Sequence, residues 1–168
     1  MLTANQHSAL DKFARNTVKF ARSNLTRKQK NVSKKLYKSI GYDLRNMPNS
    51  FSLEFEMEEY GVYQDKGVSG KWKKYDTPFS YKSKMPPHEP IFKWVKARGI
   101  KFRNNKGKFT KGSQRSLAFL IQRSIYRDGI KPTLFFSKPF EAGFKKLPDE
   151  VLKAYGLDLE KFLNNTIQ

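Results

Sequence analysis

Apolar residues recur at three- and four-residue spacing through the first 25 positions: Leu10, Ala14, Val18, Ala21 and Leu25, widened by Phe13 and Phe20. Lys12, Arg15, Lys19 and Arg22 fill much of the remaining circumference, so the pattern predicts an amphipathic helix over residues 5–25. The polar, basic stretch LTRKQKNVS breaks it. Val32, Leu36 and Ile40, spaced by four, predict a shorter second helix stopped by Gly41.

The period then changes from 3.6 to 2. YDLRNM alternates weakly, PNS is turn chemistry, and FSLEFEME alternates without a fault. Phe51, Leu53, Phe55 and Met57 fall on one side of this strand, and Ser52, Glu54, Glu56 and Glu58 on the other. The pattern predicts a hairpin whose second strand has one buried and one acidic face. From Gly67 to Pro90 no period is visible, which predicts a long loop. Pro90 can occupy the first turn of a helix burying Ile91, Trp94 and Val95, with Gly99 closing it. IKFRNNKGKFTKG reads as a hairpin around Asn105–Gly107. Ser113 is placed to cap a helix with a wide apolar stripe from Leu117, Ala118, Leu120, Ile121, Ser124 and Ile125, ended by RDG. IKPTLFF reads as a short buried strand or extended segment. A last helical region carries Phe140, Phe144, Leu147, Val151, Leu152, Tyr155, Leu159 and Phe162. The expected fold is α+β: a long N-terminal helix and C-terminal helices packed on a small antiparallel sheet, with a long basic loop and hairpin inserted.

Composition narrows the chemistry. At 168 residues the chain is expected to form a single domain, 1–168, and the lack of cysteine removes disulfides, thiolate zinc sites and a thiol nucleophile. No apolar run is long enough to span a membrane, and the N-terminus lacks an apolar stretch of signal-peptide length, so the expectation is a soluble intracellular protein. The net charge of +19 is distributed unevenly. Residues 1–50 carry 11 Lys and Arg against 2 acids, and residues 68–131 carry 17 against 3. Between them, residues 51–67 carry 5 acids against 1 lysine. Basic surface on this scale attracts polyanions whether or not nucleic acid is the true partner.

Few residues suggest catalysis. His7 and His88 have no Ser or Asp partner at a recognisable spacing. GVSGKWK fails as a phosphate loop, because Asp65 stands where the first glycine belongs and Trp72 where Ser or Thr is needed. Glu54, Glu56 and Glu58 share a strand face, but side chains at i and i+2 start about 6–7 Å apart. A metal held there needs help from elsewhere, for example Asp65, and a solvated strand face is the simpler reading. The basic segment sets Lys71, Lys73, Lys74, Lys82, Lys84, Lys101, Arg103, Lys106, Lys108 and Lys111 among Trp72, Tyr75, Phe79, Tyr81 and Phe102. That mixture suits a single-strand binder and equally a protein–protein surface.

Read in order, several short segments resemble the neck proteins of tailed bacteriophages, of the head–tail joining or tail-completion type. In that family a long helix is followed by a Leu-x-x-Ser-Ile element, here Leu36, Ser39 and Ile40 in LYKSI. A strand then enters a Tyr-small-x-Tyr-x-acid-x-Gly motif, here YGVYQDKG through Tyr60, Gly61, Tyr63, Asp65 and Gly67. A proline and aromatic element, here KPTLFFSKPF, opens the C-terminal helix. Residues 68–112 are an insertion beyond the compact family pattern, and 149–168 are a C-terminal extension. The resemblance implies a non-enzymatic virion component without a cofactor or metal, present in the host cytoplasm before assembly. It implies a homo-oligomeric ring between the portal or adaptor and the tail proteins, with non-specific DNA contact and no membrane. Glu54, Glu56, Glu58, Tyr60, Tyr63 and Asp65 would then mark an inter-subunit face, and the basic insertion with Trp72 a contact for a neighbour or for DNA. The corner motif also has a purely structural reading, with Gly61 and Gly67 permitting a tight turn. A different class of function, a nucleic-acid-binding protein and metal-dependent nuclease using the carboxylate row, predicts divalent-dependent cleavage.

Overall fold

The computed structural model describes residues 4–30, 32–47, 50–104, 106–153 and 156–157. It is an α+β protein whose residues cluster into two compact units, one formed by 1–58 with 134–168 and the other by 59–133.

The first unit is built on helix α1 (Ala4–Arg27), the expected long N-terminal helix. Its apolar stripe, Leu10, Phe13, Ala14, Val18, Ala21 and Leu25, is buried. Helix α2 (Lys35–Ser39) is shorter than Val32, Leu36 and Ile40 suggested. Lys34 precedes it with φ of 55°, a left-handed turn that no helix can run through, so Val32 lies outside. Leu36 and Ile40 still reach the core, and Gly41 starts a strand. Strands β1 (Gly41–Met47) and β2 (Ser50–Glu56) form a two-stranded antiparallel sheet, with Leu44 opposite Leu53 and Tyr42 opposite Phe55. Among the described residues neither outer edge of this sheet is paired with another strand. Phe135 is fully buried among Val18, Ala21, Leu25, Leu36 and Ile40, and Asn24 Nδ2 donates to its carbonyl at 3.1 Å. One face of Phe55 meets the rings of Phe13, Tyr42, Phe136 and Phe140 at centroid distances of 5.3–6.4 Å. The chain then continues through a helix at 137–144, numbered α6 below, and a helical stretch at 147–153. Tyr155, Leu159 and Phe162 lie outside the described residues.

The second unit holds α3 (Tyr60–Lys66), α4 (His88–Ala97) and α5 (Gln114–Asp128), after which α6 (Ser137–Phe144) belongs to the first unit. Helix α4 begins two residues before Pro90. Val95 is buried as expected, but Trp94 is exposed, because α4 packs mainly on α5 and only one face is covered. Ser113 Oγ accepts from the Arg115 amide, the predicted cap, and Gly129 follows α5 with φ of 76°. Leu120 of the broad stripe remains exposed for the same reason as Trp94, as does its neighbour Phe119. The basic hairpin is small: Arg103 bridges Phe109, and the Asn104 amide donates to the Lys108 carbonyl. Residues 67–87 are irregular yet anchored. The amides of Lys71 and Trp72 donate to the carbonyls of Tyr126 and Arg127, and Val68 pairs with Ile130. A Cβ on Gly70 would strike the backbone at Arg127 and Gly129, so GVSG is a close crossing of two chain segments.

Candidate functional site

Two surfaces carry the residues of interest, one in each unit. The first is the outward face of the hairpin. The register puts Asp43 opposite Glu54 and Arg45 opposite Ser52, with Glu56 opposite Gly41. Asp43 and Glu54 are like charges directly across the ladder, an arrangement that repels unless a cation intervenes. Arg45 supplies it, with Nε 2.6 Å from Asp43 Oδ2, and Ser52 Oγ donates to Glu54 Oε1 at 2.9 Å. Three carboxylates and one guanidinium therefore leave this face acidic. Glu58 does not extend the row. Strand β2 ends at Glu56, the Glu58 carboxylate is held 2.9 Å from Lys35 Nζ, and its amide donates to Ser39 Oγ. Asp43 and Arg45 were missed in the sequence because the weak alternation of YDLRNM left the facing of β1 undecided.

The second surface is built on α3. YGVYQDK is a helix, so Tyr60 and Tyr63, three residues apart, lie on the same side. Both are exposed, whereas Asp65 is buried at 4 % relative exposure and belongs to the interior of this corner. Thr133 fixes the C-terminal end of α3: its hydroxyl donates to the Gln64 carbonyl at 2.6 Å and its amide to the Asp65 carbonyl at 3.0 Å. Gly67 then turns with φ of 75°, where an added Cβ would meet the Ile130 carbonyl and Pro132. Ser69 bridges Ser80, and this brings Phe79 against Tyr63, with centroids 4.7 Å apart and planes at 65°. Tyr60, Tyr63, Phe79, Tyr81, Pro78 and Pro87 thereby line a pocket of about 680 Å³ floored by Val68 and Ile130. Burial pushes the Tyr81 phenol above its ordinary pKa, so it remains a neutral hydroxyl. Gln64 also lines the pocket, and its buried Oε1 has no partner among the described residues.

The basic segment belongs to the same unit and reaches this pocket at Lys82. Lys71, Lys73, Lys74, Lys82 and Lys84 are exposed, and Lys74 Nζ donates to the Gly70 carbonyl. Trp72 is 74 % exposed, and the Arg127 guanidinium sits 5.5 Å from its ring centroid. In the small hairpin Lys101 and Arg103 lie over Phe109, itself 65 % exposed, while Lys106, Lys108 and Lys111 project to solvent. Among the described residues Arg127 is paired with Asp128, and no ion pair involves the lysines named here or Arg103. No three His, Asp or Glu side chains among the described residues converge as a metal site requires, and the carboxylate facing Glu54 across the ladder, Asp43, is engaged by Arg45. The pocket was not visible in the sequence, although the Tyr-x-x-Tyr spacing was an available signal once the segment is read as helix. No family model, no curated protein and no solved structure matches the chain.

Proposed function

We propose that the chain is a structural subunit of a tailed-phage virion, forming a ring at the neck between portal or adaptor and tail, and that it acts without catalysis. The observation that carries this reading is the pairing, in one sequence, of an acidic strand face at Asp43, Glu54 and Glu56 with a strongly net-positive segment at residues 71–111. Head-to-tail association joins two different surfaces of the same subunit and closes into a ring when the rotation permits. Opposite charge on those surfaces fixes register and speeds encounter more than it adds affinity. The excess lysines are then directed at protein neighbours, since a conduit lined with them would retain the genome through counterion release.

The test is electron microscopy and sedimentation of the wild-type chain beside Glu54→Lys/Glu56→Lys, with immunogold labelling of virions. Rings from the wild type, monomers from the folded variant and label at the head–tail junction are expected. A charge-reversed variant that still forms full rings removes the electrostatic account. A second reading, single-stranded nucleic-acid binding, is favoured by the exposed Trp72 and Phe109 with cations over their faces. Divalent-dependent cleavage lost in Glu54→Ala would decide for a nuclease.

A further inference from the structure

We propose that the tip of the β1–β2 hairpin of one copy inserts into the aromatic pocket beside α3 of a neighbouring copy. This rests on the ring reading above and gives it a specific contact. At the tip, Met47 and Phe51 are 40 % and 49 % exposed, large apolar side chains on opposite faces of the last rungs of the sheet. A hairpin whose charged face ends in Met47 and whose apolar face ends in Phe51 has the composition of an interface: an apolar anchor with a polar rim.

The pocket has the complementary composition. Its volume of about 680 Å³ lies within the range of sites that enclose a drug-sized ligand. Tyr60, Tyr63, Phe79 and Tyr81 offer ring faces and edges, which suit an incoming phenyl ring in an edge-to-face arrangement and a thioether at a ring edge. The neighbouring sequence from 59 to 84 sets Lys66, Lys71, Lys73, Lys74, Lys82 and Lys84 against Glu59, Asp65 and Asp76, and Asp65 is buried. Of these lysines Lys82 lines the pocket itself, so an acidic hairpin entering there meets a cation at the pocket wall. Gln64 supplies an independent polar feature: its Oε1 is buried without a partner, and a turn of the side chain toward the pocket would let an N–H or hydroxyl of the incoming strand satisfy it.

The lack of cysteine makes cross-linking unambiguous. Two single variants of the full chain, Met47→Cys at the tip and Pro78→Cys at the pocket wall, are mixed and oxidised, and the mixed disulfide is identified by mass spectrometry. Phe51→Cys serves as a second tip variant, and Ser23→Cys on α1 paired with Pro78→Cys is the control. Circular dichroism verifies that each variant folds, and sedimentation reads assembly in the same samples. The expected result is a tip-to-pocket adduct in excess over the control, lowered about tenfold by Glu54→Lys/Glu56→Lys, since each tenfold corresponds to about 1.4 kcal/mol. Rings that assemble without the adduct overturn the docking while leaving the ring reading intact. A chain that stays monomeric at every concentration, with no adduct, removes both. Protection of Pro78→Cys from alkylation by a thymidine oligonucleotide, with no copy-to-copy adduct, assigns the pocket to a nucleobase and overturns the proposal.

Discussion

Replacing Phe55 by alanine separates the sheet from the helices it packs on. Phe55 touches four rings, with centroid distances of 6.1 Å to Phe13, 6.4 Å to Tyr42, 5.3 Å to Phe136 and 5.7 Å to Phe140. Truncating a fully buried phenylalanine costs about 3–5 kcal/mol. Phe55 is only partly buried and borders a groove open to solvent, so the loss falls nearer about 2–3 kcal/mol. Its ring pairs are each worth about 0.5–1.5 kcal/mol, but they share one ring and do not add. Phe55→Leu keeps most of the apolar area and loses the ring geometry, for a cost of about 1 kcal/mol. Both tryptophans, Trp72 and Trp94, lie in the other unit, so their emission does not read this change. Amide hydrogen exchange of peptides from α1 does. In Phe55→Ala those amides should exchange about 30- to 150-fold faster, from about 1.4 kcal/mol per decade. Glu54→Ala, one residue away on the solvent face, should change them by no more than about 0.5 kcal/mol. Less than about threefold acceleration in Phe55→Ala, under 0.7 kcal/mol at about 1.4 per decade, would refute the idea that this ring pins the hairpin to α1 and α6.

Gly70→Ala should lower the urea midpoint read by tryptophan emission, by about 1–3 kcal/mol equivalent, because its new methyl meets backbone at Arg127 and Gly129 rather than a side chain that could yield. The hydrogen bond from Arg127, aided by Ser124, holds the Asp128 carboxyl below the ordinary carboxylate range. A depressed folded pKa stabilises above the unfolded value, about 3.9, and that contribution is lost as pH falls through the folded pKa. A carbon-13 NMR titration should show Asp128 ionising low and moving upward in Arg127→Gln, and an unchanged value would contradict the assignment. Single-stranded oligonucleotides should bind loosely without cleavage. The log–log salt slope should fall by about 2 units when Lys106, Lys108 and Lys111 become alanine, at about 0.7 per phosphate contact. An unchanged slope places the phosphate contacts elsewhere.

Where neighbours in sequence decide the outcome, the chain was readable. The fault-free alternation of FSLEFE, the spacing of the α1 stripe and the Ser113 cap are local devices, and each produced the expected element. Distant partners decided the rest. YGVYQDK has a glycine at its second position and no side-chain cap, and Thr133, 69 residues from Gln64, ties down its last turn. Trp94 and Leu120 sit on correct helices, but which side of a helix is covered depends on how many elements pack against it. The acidic row was legible as far as Glu54 and Glu56. Asp43, Arg45 and the salt bridge holding Glu58 emerged only from strand register and from the position of Lys35. The aromatic pocket depends on the bridge between Ser69 and Ser80, which no local pattern announces.

The open edges of the two-stranded sheet make the hairpin's charges serve a protective purpose before any assembly begins. A strand with unsatisfied amides and carbonyls is a template for indiscriminate pairing, and β2 adds an apolar face of Phe51, Leu53 and Phe55. Asp43, Glu54 and Glu56 on every copy repel an identical strand approaching in the flat, face-matched register that leads to aggregation. Salt screens this repulsion while leaving the apolar face unchanged, so precipitation during preparation at high ionic strength is the hazard built into this sheet, and low-salt storage is its remedy.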